Sequence, residues 1–166
     1  MVASELAKLF ARDINKVIEQ VRAFPDEQLL WENRPGVSNS AGNLVLHLIG
    51  NLKEYVGRQL GGSAFTRQRQ KEFSDKGVSS AELIQRLEEV ASLVPEVVAN
   101  LTESSLSAKY PESVLGFEMT TSYFLIHLVA HLNYHLGQID YLRRVVTGAG
   151  AIQYPNRLMP SKAAVL

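Results

Sequence analysis

Apolar residues recur at helical spacing along four long segments of the chain. The first spans about residues 4–24 and stops before Pro25, because the residue before a proline disfavours the helical conformation. The second opens at Ser40, a good N-cap, and runs over about residues 40–60 before two glycines. Since no segment shows convincing strand alternation, the pattern predicts an all-α protein built as a four-helix bundle.

The third and fourth segments carry their own helix signals. Ser79 and Glu82 match a capping box that opens the third helix, in which Pro95 should introduce a kink or an early end. The fourth helix begins at Thr120 or Thr121 and ends near residue 147, ahead of a glycine. A shorter piece after Pro25 has room for a single helical turn.

The remaining segments are predicted to connect or follow the helices. Residues 63–78 are polar and form a connection, within which the charged stretch 67–75 is expected to face solvent. Residues 101–117 have the composition of a long loop, with room for a short extended pair. The prediction is one domain over residues 1–150, followed by a tail, 151–166, that packs on the surface or frays.

Composition narrows the function classes. The chain of 166 residues carries 17 basic and 17 acidic side chains, and this balance gives no electrostatic reason to expect a nucleic-acid or anionic-membrane partner. It lacks cysteine, so a transition-metal site must use histidine with carboxylate or water. Neither a signal peptide nor an apolar run of about 20 residues is present. We therefore expect a soluble cytoplasmic protein.

Three of the four histidines lie at intervals of four residues in the last helix: His127, His131 and His135. Successive members are about 40° apart around a helix. The direction expected to face the interior lies between the centre of the apolar arc and the side opposite the polar residues. His135 falls inside this range, His131 lies at its border, and His127 falls outside it. We therefore expect His131 and His135 to face the interior together, where two imidazoles one turn apart can bind one metal. Gln138 either orients a histidine or satisfies a helix carbonyl.

The fourth histidine, His47, lies in a polar stripe beside the apolar arc of the second helix. Its neighbours on that stripe include Asn51, Glu54 and Arg58. Polar side chains next to a core cost free energy unless they are satisfied, and a shared metal would satisfy them. Spacing alone leaves two interpretations open: a metal site, or histidines that are hydrogen-bonded within the core. Likewise, Glu54 and Arg58 either line a pocket or form an exposed ion pair.

Two segments together resemble the DinB-like superfamily of metal-binding four-helix bundles, which includes bacillithiol- and mycothiol-dependent transferases. One has Trp31 and Pro35 ahead of the second helix, with His47 in NLVLHLIGNLKEYV; the other is HLVAHLNYHLGQIDYL. The stretch GGSAFTRQRQKEF is similar to an uncharacterised branch of that superfamily. The resemblance covers about residues 5–147, although Leu136 replaces the usual basic residue before Gly-Gln.

The resemblance implies a ligand set and a topology. One divalent transition metal per chain, zinc or nickel in the first instance, would be held by His47, His131 and His135. His127 would be a pocket residue. The helices would run up-down-down-up, which suits two long connections, and the protein would be a homodimer.

The leading hypothesis is a metal-dependent enzyme that activates a thiol or water for small-molecule transfer or hydrolysis. Asn51, Arg58 and His127 are candidates for substrate contact or proton transfer, and Glu54 is a candidate general base. The substrate would be a small molecule, with a low-molecular-weight thiol as cosubstrate. Two alternatives remain: a non-catalytic metal- or ligand-binding bundle, and a bundle without metal.

Overall fold

The computed structural model describes residues 2–154, which contain seven α-helices and no strand beyond isolated bridges. The all-α prediction is therefore confirmed. A π-helical segment, Lys53–Arg58, continues α3 without a break. The helices are α1 Val2–Arg22, α2 Glu27–Leu30, α3 Ala41–Leu52, α4 Arg69–Ser74, α5 Ser80–Ala99, α6 Glu103–Ser107 and α7 Thr121–Thr147.

The first and last long helices, α1 and α7, run in the same direction. Asn133 of α7 donates to Asp13 of α1 over 2.7 Å. About two turns further along both helices, Gln20 donates to Asp140 over 2.9 Å. Because residue numbers rise together along the contact, the two helices are parallel.

The two middle long helices, α3 and α5, also share a direction. Lys53 at the end of α3 pairs with Glu89 of α5 over 2.6 Å. One turn later Gly57 packs so close to Leu93 that a Cβ on the glycine would lie 2.8 Å from Leu93 Cδ2. Residue numbers therefore rise together here as well.

Helices α3 and α7 cross the bundle in opposite directions. The ring of Tyr55 contacts Phe124 with centroids 5.1 Å apart, whereas the ring of His47 contacts that of His131 at the same separation. A step forward along α3 is thus a step backward along α7. With the two parallel pairs, this gives the up-down-down-up topology that the resemblance implied, and confirms it.

The core is built from apolar positions of all four long helices, and each fully buried large side chain contributes roughly 1.5–3 kcal/mol. Three of these helices have the predicted N-cap residues. The side chains of Ser40, Ser79 and Thr120 each accept a hydrogen bond from a backbone N–H of the first turn. Gly148 closes α7 in the left-handed conformation with φ of 71°. Core residues include Phe10, Ile14, Val17, Leu48, Leu52, Leu87, Val90, Leu128, Leu132 and Ile139.

Three local features differ from the sequence-based expectation. The second long helix is α-helical only to Leu52, and the next segment is π-helical, with Gln59 N donating to Glu54 O five residues earlier. Helix α5 continues past Pro95 to Ala99, so the proline does not shorten it. The polar connection contains α4, and the loop after α5 contains α6.

Within residues 2–154, every helix is too short or too polar to cross a membrane. The first residues of the C-terminal tail lie on the bundle, where Tyr154 accepts a hydrogen bond from Gln20 over 2.7 Å. Residues 155–166 are outside the described residues, so the expectation that the tail packs or frays, and the domain boundary at residue 150, stay predictions.

Candidate metal centre

His47, His131 and His135 come together between α3 and α7. The ligand atoms of the three rings all lie within 4.8 Å of one another. His131 Nε2 is 3.2 Å from His47 Nε2 and 3.1 Å from His135 Nε2. His47 is buried and the two α7 histidines are half-buried, so the cluster lies at the edge of the core.

The remaining nitrogen of His47 faces a carboxylate. Its Nδ1 lies 2.9 Å from Oε2 of Glu72, which is buried on α4. An ionised carboxylate only accepts hydrogen bonds, so Nδ1 must carry the proton. In the neutral ring this leaves the Nε2 lone pair free, and Nε2 points at the other two histidines.

His135 is oriented in the same way by a different group. Its Nδ1 lies 2.7 Å from Oε1 of Gln138, one turn further along α7. The amide oxygen accepts, so this Nδ1 also carries the proton and its Nε2 presents a lone pair. Of the two roles weighed for Gln138, the structure shows the contact with a histidine.

The third ring, His131, stands between these two lone pairs. Burial, together with the nearby imidazoles of His135 and His47, lowers the pKa of His131 to about 3, so the ring is neutral at pH 7. A single Nε2 proton could bond to only one of the two neighbouring nitrogens. Its Nδ1 is buried and has no hydrogen-bond partner among the described residues, so packing orients this ring.

A divalent transition metal fits this arrangement. Three neutral imidazoles are ligands that zinc and nickel accept, and one cation can receive all three lone pairs. Nitrogens about 2.0–2.1 Å from a tetrahedral ion are roughly 3.3 Å apart. The observed Nε2 separations from His131, 3.1 and 3.2 Å, are close to that value.

Two residues of the site were not foreseen, Arg67 and Glu72. Their side chains are only 11% and 7% exposed, and Arg67 Nε donates to Glu72 Oε1 over 2.6 Å. Burial alone would raise the pKa of Glu72, but hydrogen bonds from Arg67 and His47 bring it below its ordinary value. The expectation that residues 67–75 are a solvated connection was wrong at these two positions. Gly50, a glycine inside an apolar helix, was the available signal of a close contact.

The polar stripe of α3 continues past His47. Asn51 is buried, and its Oδ1 has no hydrogen-bond partner among the described residues. Glu54 is also buried and accepts from Arg58 Nε over 2.8 Å, whereas the Arg58 side chain is 43% exposed. The hydrogen bond from Arg58 outweighs burial and lowers the pKa of Glu54. The pair is therefore an i, i+4 ion pair with one buried partner.

His127 lies beside the cluster, outside the group of three nitrogens. It is exposed, and its ring stacks on Phe124 at 5.9 Å and lies 6.2 Å from the ring of His131. It forms one wall of a cleft of about 620 Å³ whose other walls are mainly apolar. The cleft residues include Val114, Leu115, Phe117, Met119 and Tyr123.

A second cleft borders the three-histidine cluster at His135. It has a volume of about 610 Å³ and is lined by His135 and Gln138 together with Arg34 and Tyr134. Of the three clustered histidines, this cleft exposes His135, whereas the cleft described before it is lined by His127.

Comparison with known proteins gives the family. The model of the DinB superfamily matches residues 9–139. A DinB-like protein from Bacillus cereus superposes with a TM-score of 0.66 at 22% identity, covering 86% of this chain and 90% of the other. A DinB-like protein from Bacillus subtilis gives 0.66 at 16% identity, covering 94% and 98%. None of the curated proteins compared is significantly similar in sequence. With the family model spanning most of its length, the chain belongs to the DinB superfamily.

Proposed function

We propose that this protein is a metal-dependent enzyme in which His47, His131 and His135 hold one divalent transition metal, zinc or nickel. The observation that carries the proposal is the convergence of the three Nε2 atoms. Glu72 accepts from Nδ1 of His47, and Gln138 accepts from Nδ1 of His135. The Nε2 lone pairs of both rings are therefore free, and both Nε2 atoms lie close to Nε2 of His131. A bundle core without a ligand would gain nothing from that arrangement.

When bound, such a metal supplies Lewis acidity, which lowers the pKa of a thiol or water and makes a nucleophile at neutral pH. Within residues 2–154 the cluster offers three protein ligands, and three ligands leave a position open for a substrate. We assign the two clefts to the binding of a small-molecule substrate and of a low-molecular-weight thiol as cosubstrate.

The neighbouring polar residues have separate roles in this proposal. Asn51 presents a buried acceptor one helical turn from His47, suited to a substrate N–H, O–H or S–H group. His127 is exposed and lies beside the cluster, so its imidazole is a candidate for proton transfer. Arg58 is half-exposed and can contact an anionic substrate group. Glu54 is a weak base while Arg58 holds it, so His127 is the stronger candidate.

A non-catalytic metal- or ligand-binding bundle is the alternative. The cleft that reaches His135 favours the enzyme, because a purely structural site is normally closed by a fourth protein ligand. The proposal also includes a homodimer, which sedimentation at several protein concentrations will test.

Metal content tests the proposal. We expect tag-free protein to contain about one divalent metal per chain by elemental mass spectrometry. His131→Ala should lose the metal and keep its helical circular dichroism, whereas the matched variant His127→Ala should keep both. No metal in the wild type after reconstitution with zinc or nickel would end the metalloenzyme proposal.

Activity separates the enzyme from the binder. The metal-loaded protein would be assayed with small thiols and a panel of apolar electrophiles, with His131→Ala as the blank. Turnover that is lost in His131→Ala supports the enzyme. Metal binding without turnover across the panel favours the binding module.

A further inference from the structure

We propose that Glu72 is a positioning residue of the metal centre: it selects the tautomer of His47 whose Nε2 lone pair is free, and Arg67 and Gly50 hold it in place. This inference rests on the proposed function, because it assigns a role relative to the three-histidine site. It makes α4, a short helix in a polar connection, part of that site.

Arg67 fixes the plane of the carboxylate. Its Nε donates to Glu72 Oε1 over 2.6 Å and its Nη2 donates to Oε2 over 2.8 Å. This two-point contact leaves little rotational freedom, and both side chains are shielded from water. The guanidinium also lies over the ring of Tyr55, 5.5 Å from its centroid. Arg67 therefore presents Oε2 to His47 in one orientation.

Gly50 provides the space for the carboxylate on the surface of α3. A Cβ at this position would lie 2.1 Å from Glu72 Oε1 and 2.8 Å from its Cδ, well inside van der Waals contact. A glycine within a helix costs about 1 kcal/mol relative to alanine. The close approach of Glu72 explains why a glycine is found here despite that cost.

Asn43 fixes the backbone that carries Glu72. Its Nδ2 donates to the carbonyl oxygens of Glu72 over 3.1 Å and of Asp75 over 2.8 Å. Ser40 Oγ donates to the amide oxygen of Asn43 over 2.8 Å, which sets the direction of that amide. Contacts from α3 thus hold both the main chain and the side chain of residue 72.

The chemistry of the contact predicts what a single substitution does. In Glu72→Gln one oxygen is replaced by an NH2 group that cannot accept from Arg67. The remaining oxygen turns to the buried guanidinium, and the NH2 group faces His47 Nδ1. That nitrogen must then accept, so the proton moves to Nε2 and occupies the lone pair that a metal needs.

The tautomer can be measured without metal. In metal-free protein labelled with ¹⁵N, long-range ¹H–¹⁵N spectra distinguish the two imidazole tautomers, and His47→Gln assigns the His47 signals. We expect the Nδ1-protonated form in the wild type and the Nε2-protonated form in Glu72→Gln. An unchanged Nδ1-protonated ring in Glu72→Gln would overturn the inference, whether or not the protein binds metal.

Metal affinity is the second measurement, made by chelator competition with zinc. We expect Glu72→Gln and Gly50→Ala each to weaken affinity about 10–100-fold, as loss of a group that orients a ligand typically does. Two controls should retain wild-type affinity: Glu89→Gln, an exposed carboxylate, and Gly137→Ala, a glycine of α7 where a Cβ meets nothing within 4 Å.

The two measurements separate the possible failures. A wild type that binds neither zinc nor nickel rejects the proposed function, whereas a wild type and Glu72→Gln that bind metal equally tightly reject only the role of Glu72. Circular dichroism and thermal unfolding of the metal-free variants report folding. If Gly50→Ala does not fold, the zinc affinities of Glu72→Gln and Glu89→Gln still show whether Glu72 supports metal binding.

Discussion

His47 and His131 face each other across antiparallel helices, with their Nε2 atoms 3.2 Å apart although 84 positions separate them in the chain. A metal held at this contact would connect α3 to α7 and would bind only the folded bundle. Ligand binding of this kind adds about 2.7 kcal/mol to the free energy of unfolding when the free ligand is at 100 times its dissociation constant.

The first prediction follows from that linkage. Zinc or nickel added to metal-free protein should raise its thermal midpoint in a concentration-dependent way. His131→Ala should show no such rise, because it removes the central imidazole. Calorimetry or circular dichroism melts at several metal concentrations check this, and magnesium, which prefers oxygen ligands, serves as the control ion.

The second prediction concerns pH. Burial and neighbouring imidazoles lower the pKa of His131 from 6.5 to about 3 in the folded protein. Between these values the unfolded chain binds a proton that the folded chain does not, so the free energy of unfolding falls as the pH falls from 6.5 towards 3. The contribution of one such group is at most about 1.4 kcal/mol per pH unit.

Urea unfolding of metal-free protein at a series of pH values measures this slope. His131→Leu should have a shallower slope than the wild type across that range, and His127→Leu, the same substitution at an exposed position, serves as the matched control. Equal slopes for His131→Leu and the wild type would show that His131 ionises normally in the folded bundle.

The third prediction concerns a buried cation remote from the histidines. Arg143 is 1% exposed, and its Nε donates to Gln20 Oε1 over 2.6 Å. Gln20→Ala leaves that donor unsatisfied in the core and should lower the free energy of unfolding by about 3 kcal/mol. Glu19→Ala, at an exposed neighbouring position, should change it by less than about 0.5 kcal/mol. Equal urea midpoints for the two variants would contradict this account.

The fourth prediction concerns the cleft beside His127. Leu115 is 92% exposed and has φ of 53°, in a two-residue turn with Gly116 at φ of 83° between the paired residues Val114 and Phe117. Asparagine is favoured at that turn position, so Leu115→Asn should stabilise the protein by about 1 kcal/mol. If the cleft binds the apolar part of a substrate, the same variant should raise KM for that substrate.

A second variant tests whether the change in KM comes from loss of the leucine side chain or from the added amide. Leu115→Gly relieves the same backbone strain and removes the same apolar side chain without adding an amide. We expect it to resemble Leu115→Asn in KM. If both Leu115 variants leave KM unchanged, the substrate binds elsewhere, and the cleft lined by Arg34 would be tested next.

The sequence was sufficient to predict the long helices and their caps, because a 3.6-residue period repeated over five or more turns is a strong signal. It also indicated that His131 and His135 share a face, since they lie four residues apart in one helix. That His47 meets them depends on the packing of α3 against α7. The polar stripe made that contact plausible, and the resemblance supplied the pairing.

Arg67 and Glu72 could not be predicted by the same reasoning. Polar residues in a connection have the same sequence signature whether water or protein surrounds them. Their burial results from contacts with His47 and with the open surface of Gly50, both on another element. The π-helical segment was missed because a shift of a few backbone hydrogen bonds leaves six residues with no periodic pattern of their own.

That segment also affects how relatives should be aligned. Its bond from Gln59 N to Glu54 O encloses one residue more than an α-helical turn does. A relative whose helix is α-helical throughout would therefore need a single-residue gap within Lys53–Arg58. Without the gap, every later residue of the helix would be assigned to a face about 100° away from its true one.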